Sequence, residues 1–205
     1  MKFTIDSPVF RFLETMAEFT ILNLAFIITC IPIFTIGPAI CALSSITMRE
    51  IREEHGYIIR PYLKSLGENF KSGFHLFLIY AAIGGILLFN LVFWAQMNTV
   101  IGNIVFFILI FFSVLYLLPF CYSFALNARF TNTIRQTIKN SILIALSEMK
   151  HSIILLLLLC LAVALYCLTN TGRIFFMIFG FAFFSYCQSY ILVKVFHKYE
   201  SMEQI

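Results

Sequence analysis

The chain has little charge, and what it has is unevenly placed. Only 12% of its 205 residues are Asp, Glu, Lys or Arg, and the stretches 74–96, 103–126, 152–168 and 174–193 contain none of them. A soluble domain carries about twice that share. The gaps exclude a water-soluble core, which would need four adjacent helices apolar on every face with little polar surface to cover them. The ten acids and the four histidines lie at or beyond the ends of the apolar stretches. That disfavours a transporter driven by a proton or sodium ion on an intramembrane carboxylate.

Other absences narrow the chemistry. The six cysteines include no Cys-x-x-Cys pair, so they read as small, polarizable helix-contact residues, with no disulfide or metal role. His55 with Glu53 and Glu54 supplies ligand types, but neighbours on a helix point in different directions, and a solvated charge run accounts for them. No phosphate loop, serine elbow or His-Glu-x-x-His occurs. We therefore expect no enzyme activity and no cofactor. Asp6, Arg11, Glu14 and Glu18 interrupt the first eighteen residues, unlike a cleavable leader, and the N-terminus is expected to be retained.

Long hydrophobic runs are what the chain does have. Hydrophobic residues make up 61% and aromatic residues 17%, and the mean hydropathy is +0.94. A hydrocarbon core of ~30 Å takes about 20 helical residues, and each charge-free stretch is near or above that length. The expected fold is an all-α polytopic transmembrane bundle forming a single membrane domain over 1–205. It is read as three hairpins, 19–48, 74–126 and 152–193, with cytoplasmic segments 1–18, 49–73, 127–151 and 194–205.

The first of the five long apolar segments needs a break. As one straight helix, 19–48 would reach ~45 Å. Pro32 and Pro38 lack an amide hydrogen, and Gly37 tolerates dihedrals that other residues avoid. Residues 35–38 are therefore read as a turn near the outer side, with Pro38 in the first turn of a new helix. With six passes and both termini inside, thirteen of the fourteen basic residues are cytoplasmic and only Arg173 is outside, as the positive-inside rule asks. A plasma-membrane location follows.

Each hairpin follows a segment with helical periodicity, and the cytoplasmic helices are expected to be amphipathic. Ser7 and Pro8 start the first, whose face is Val9, Leu13 and Met16. In the second, Leu63, Leu66 and Phe70 form a stripe opposite Lys64, Glu68 and Lys71. In the third, Ile134, Ile138, Ile142, Ala145 and Met149 lie opposite Arg135, Lys139 and Asn140. Such helices lie in the interface, with basic faces toward anionic headgroups. The second is the candidate partner-binding helix, and nucleic acid is not an expected partner.

Inside the membrane, polarity is neutral. Asn23, Asn90, Gln96 and Gln188, with several Ser and Thr, are either interhelical hydrogen-bonding groups, each worth about 0.6 kcal/mol and up to ~1–2, or the lining of an uncharged cavity for a sugar-like solute.

Asn23-Leu24, the run from Pro32 to Ala39, Arg49 to Arg52, Gly56-Tyr57 and Glu68-Asn69-Phe70-Lys71 together resemble the YesL-like family of bacterial integral membrane proteins. The likeness is specific over about 22–73. Leu66-Gly67 departs from the aromatic and basic pair expected before Glu68. The resemblance implies no catalytic residue. It implies a role beside carbohydrate uptake, as an accessory or regulator of ABC transporter permease subunits. The alternative expectation is a small neutral-solute transporter.

Overall fold

A computed structural model describes residues 8–52, 54, 56–97 and 99–203, with side chains from 15 to 200. Glu53 and His55, Ser7, and the side chains of Val9 and Leu13 lie outside the described residues.

All elements among the described residues are helical, as a chain without water around its backbone requires. The described residues form nine α-helices in order: α1 (Pro8–Cys30), α2 (Ile36–Ile51), α3 (Ile59–Glu68), α4 (Phe70–Ala95), α5 (Val100–Arg129), α6 (Ile134–Ser147), α7 (Met149–Leu168), α8 (Asn170–Phe175) and α9 (Phe181–Glu203). A 3-10 turn, Ile33–Thr35, joins α1 to α2, and a π turn, Phe176–Gly180, joins α8 to α9.

Four helices are long and apolar enough to cross a membrane: Phe70–Ala95, Val100–Arg129, Met149–Leu168 and the composite Asn170–Glu200. Only 11% of the most apolar window of α4, and the same share of α7, is buried within the chain. Side chains such as Phe89, Phe107 and Leu157 are largely exposed. In water that surface would be an aggregation liability; in a bilayer it faces lipid.

Local signals set the joints between these helices. Thr99 caps α5 by accepting from Gly102 N at 3.1 Å, and Thr133 and Gln136 form a capping box on α6. Gly172 packs so closely on α7 that a Cβ there would sit 2.1 Å from Leu165 O, which makes the turn into α8 tight.

The most buried helix is a short one. α2 has 16 residues, about 24 Å of helix, and it touches α1, α3, α4, α5 and α9. Ala39, Cys41, Ala42 and Thr47 are each 0% exposed. These small side chains let five helices approach one backbone.

This arrangement corrects the first hairpin. The break is real, but it falls at 31–35; Gly37 and Pro38 already belong to the first turn of α2, where a proline has no donor to lose. It also lies at the wrong end for a spanning pair. Gly37 packs against Gly73 in the first turn of α4, and the Phe34 and Phe70 rings are 6.4 Å apart. If 19–48 crossed and returned alongside α4, its tip would lie near the far end of α4. The joint between α1 and α2 lies instead beside the start of α4, with α2 packed on α4, α5 and α9 and α1 on the π turn and α9. The amphipathic face at 9–16 is not a separate helix, because α1 runs unbroken from Pro8 to Cys30.

Charges gather at that end. Arg129 of α5 donates to Glu200 of α9 at 2.7 Å. Glu148, at the α6–α7 joint, pairs with Lys198 of α9 and with His151 at 3.2 Å. The hydrogen bond from Lys198, then that from His151, holds the Glu148 carboxyl below the usual glutamate range. A depressed carboxyl stabilises the fold above the unfolded value of about 4.3, and that contribution fades as pH falls through the folded value. The melting temperature of detergent-solubilised protein should therefore exceed that of Glu148→Gln at pH 7. The two should converge as pH is lowered through and below the ordinary glutamate value of about 4.3. A gap that persists at low pH would show that the glutamate acts by packing alone.

Candidate functional site

Two regions carry the polarity that sequence reading marked as functional: the interior of the bundle and the outer face of α3. In the interior most polar groups are taken up by helix contacts. Thr47 of α2 meets Ser185 at 3.1 Å and Ser189 at 2.7 Å on α9. Tyr80 of α4 meets Ser123 of α5 at 2.5 Å, and Ser123 donates to Ser141 of α6 at 2.9 Å. Asn127 of α5 donates to Asn69 Oδ1 and to Ser72 Oγ, both at 3.0 Å. Each bond reaches from one helix to another, or to the joint before it, and each is the kind of neutral cross-link that membrane helices use.

Asn23 is the most committed of these groups and is 0% exposed. Its Nδ2 donates to Phe176 O and Met177 O, both at 3.0 Å, and its Oδ1 accepts from Ala182 N at 3.1 Å. A π turn interrupts the regular backbone ladder, and one side chain from α1 satisfies the groups on both sides of it. Asn23 is therefore not a cavity residue. Asn90 donates to Ile86 O of its own helix at 2.8 Å, and Gln96 is exposed at the end of α4. Of the four expected cavity residues, Gln188 lines a cavity.

That cavity, of about 390 Å³, lies between α1, α2, α5, α7 and α9. Its walls are mostly aromatic and aliphatic, including Phe120, Phe176, Phe181 and Phe184, and its polar side chains are Ser44, Ser185, Gln188 and the phenol of Tyr166. A second cleft of about 550 Å³, between α4, α5 and α6, is lined by apolar side chains and the phenols of Tyr80 and Tyr116. Among the described residues no group of three or more His, Cys, Asp or Glu is placed to hold a metal ion.

On α3 the structure turns most of the apolar stripe away from the bundle. Tyr62 and Ser65 are the buried positions, and the Tyr62 hydroxyl meets Thr29 Oγ1 of α1 at 2.6 Å. Burial raises the Tyr62 phenol above its ordinary range, so the hydroxyl stays protonated. Leu66 is half-buried, whereas Leu63 (52% exposed) and Phe70 (40%) point outward with Lys64, Glu68 and Lys71. Lys64 and Glu68 form an exposed pair at 3.8 Å, worth little by itself. The same displacement occurs in α6, where Thr137, Ser141 and Ala145 are buried while Ile138 and Ile142 line the apolar cleft. Tyr62 and Asn69 were missed as key contacts because they break the apolar periodicity that the reading relied on.

No curated protein and no solved structure matches the chain. Residues 19–91, from within α1 through most of α4 and including the buried α2, match a family described as "Protein of unknown function, DUF624".

Proposed function

We propose that this membrane protein is a non-enzymatic accessory that packs beside the spans of a carbohydrate ABC transporter, binding its permease subunits and regulating or stabilising them. The observation that carries the reading is the division of α3 into two faces. Tyr62 and Ser65 hold it to the bundle, while Leu63 and Phe70, flanked by Lys64, Glu68 and Lys71, are free to meet lipid headgroups or a partner. The carbohydrate assignment rests on the resemblance of 22–73 to YesL-like proteins. The charge distribution supports a plasma-membrane location with both termini cytoplasmic.

Co-purification in mild detergent with permease subunits encoded nearby tests this. The double substitution Leu63→Ser, Phe70→Ser should leave folded yield within about twofold, since surface changes rarely exceed ±0.5 kcal/mol, and should remove the permease subunits. Loss of the fold, or retention of the subunits, would overturn the role of this face. A reporter fused after Ile205 reads orientation in the same cells.

The transporter alternative is less well supported. A sugar presents many hydroxyls, and a cavity with so few polar side chains leaves most of them unpaired. Sugar flux into vesicles containing only this protein would reverse that ranking.

A further inference from the structure

We propose that the cavity between α1, α2, α5, α7 and α9 binds a neutral single-chain lipid ending in a hydroxyl, with the chain against the aromatic wall and the hydroxyl between Ser44 and Gln188. Its volume of about 390 Å³ falls within the range of small-molecule sites, which combine apolar walls with a few orienting polar groups.

The polar groups select the end of the ligand. Gln188 Nε2 donates to Cys121 O at 3.0 Å, which fixes the amide and directs its use. Among the described residues nothing donates to Gln188 Oε1, and Ser44 Oγ has no hydrogen-bond partner. Ser185 differs, being already bonded to Thr47 at 3.1 Å. Apart from the half-exposed phenol of Tyr166, one acceptor and one hydroxyl are therefore left facing a mostly apolar space. A lipid hydroxyl satisfies both, donating to Gln188 and accepting from Ser44. An alkane would leave both unpaired, at the cost that attends any buried orphan.

Charge selects against other lipids. No Lys, Arg, His, Asp or Glu lines the cavity, and a carboxylate or phosphate taken there would lose its hydration with no counterion. The surrounding helices α5, α7 and α9 belong to the membrane-crossing set, so the ligand is drawn from the bilayer.

Hexadecanol carrying a diazirine in its chain tests the site, with the protein in phosphatidylcholine nanodiscs and labelled peptides mapped by mass spectrometry. Hexadecanoic acid and hexadecane with the same diazirine serve as comparisons. The alcohol should label the cavity segments of α2, α5 and α9 roughly three- to tenfold more than either analogue, the worth of one net hydrogen bond. Unlabelled hexadecanol should remove that excess. Gln188→Leu should bring the alcohol level with the alkane. Ala162→Trp, which fills the space from α7 and leaves Gln188 in place, should abolish labelling there. Equal labelling of the unaltered protein by all three probes overturns the proposal, and that comparison needs no variant to fold. An excess that survives both substitutions overturns it as well.

Discussion

Gly37→Ala should remove most of the folded protein. A Cβ at Gly37 would lie 2.2 Å from Gly73 O and 2.6 Å from Phe77 Cβ. Two of those neighbours are backbone or the root of a side chain, so neither can swing aside. The contact is also mutual, since a Cβ at Gly73 would lie 2.9 Å from Pro38 N. Relief requires α2 and α4 to separate, and α2 is the helix on which five others pack. Overpacking ordinarily costs ~1–3 kcal/mol, and where the whole central helix must shift we expect about 3 kcal/mol or more. Thermal unfolding in detergent and yield by size-exclusion chromatography measure it. Gly67→Ala on α3, where a Cβ meets nothing within 4 Å, should be neutral or slightly stabilising, since alanine is the better helix former. If Gly37→Ala melts like Gly67→Ala, the helix contact described here is wrong.

Asn23→Leu carries the second largest expected effect. The substitution keeps a similar volume and deletes three hydrogen bonds at once, leaving Phe176 O, Met177 O and Ala182 N without Asn23. Cross-links between membrane helices average about 0.6 kcal/mol each because the separated helices find other partners. Here the partners are backbone groups at a π turn, and burial leaves them few substitutes, so the larger figure of ~1–3 kcal/mol per orphaned group applies to at least one of them. We expect a loss of about 2–4 kcal/mol. Thr20→Ala on the same helix removes a hydroxyl that bonds only to Met16 O of its own helix, at 2.8 Å, and should change little. Equal melting of the two variants would show that the π turn does not depend on α1.

Much of this molecule was legible in the sequence. The charge-free stretches mark α4, α5 and α7 within a few residues of their ends, and the composite of α8 and α9 except for its last ten residues. Pro38 was placed in a first helical turn for a reason that holds, its missing amide hydrogen. The missing amide hydrogens of Pro32 and Pro38 called for a break in this segment, and one lies just before α2.

What the pattern of apolar residues did not reveal is which side of each helix turns inward. In water, burying an apolar stripe is strongly favourable and exposing it is not, so the stripe points to the core. In a bilayer, an apolar side chain gains almost nothing by leaving lipid for protein, and contact is decided by close fit and hydrogen bonding. That is why Tyr62 and Ser65 face the bundle while Leu63 and Phe70 do not, and why α6 buries Thr137 and Ser141. Composition and charge alone determined that the chain lives in a membrane and which helices are long enough to cross it. Only the tertiary structure decided that the short α2 forms the centre, that the break sits against the start of α4, and that Asn23 closes a turn more than 150 residues away. Those outcomes depend on small residues and neutral polar groups meeting across the bundle, and hydropathy along one chain carries no trace of such meetings.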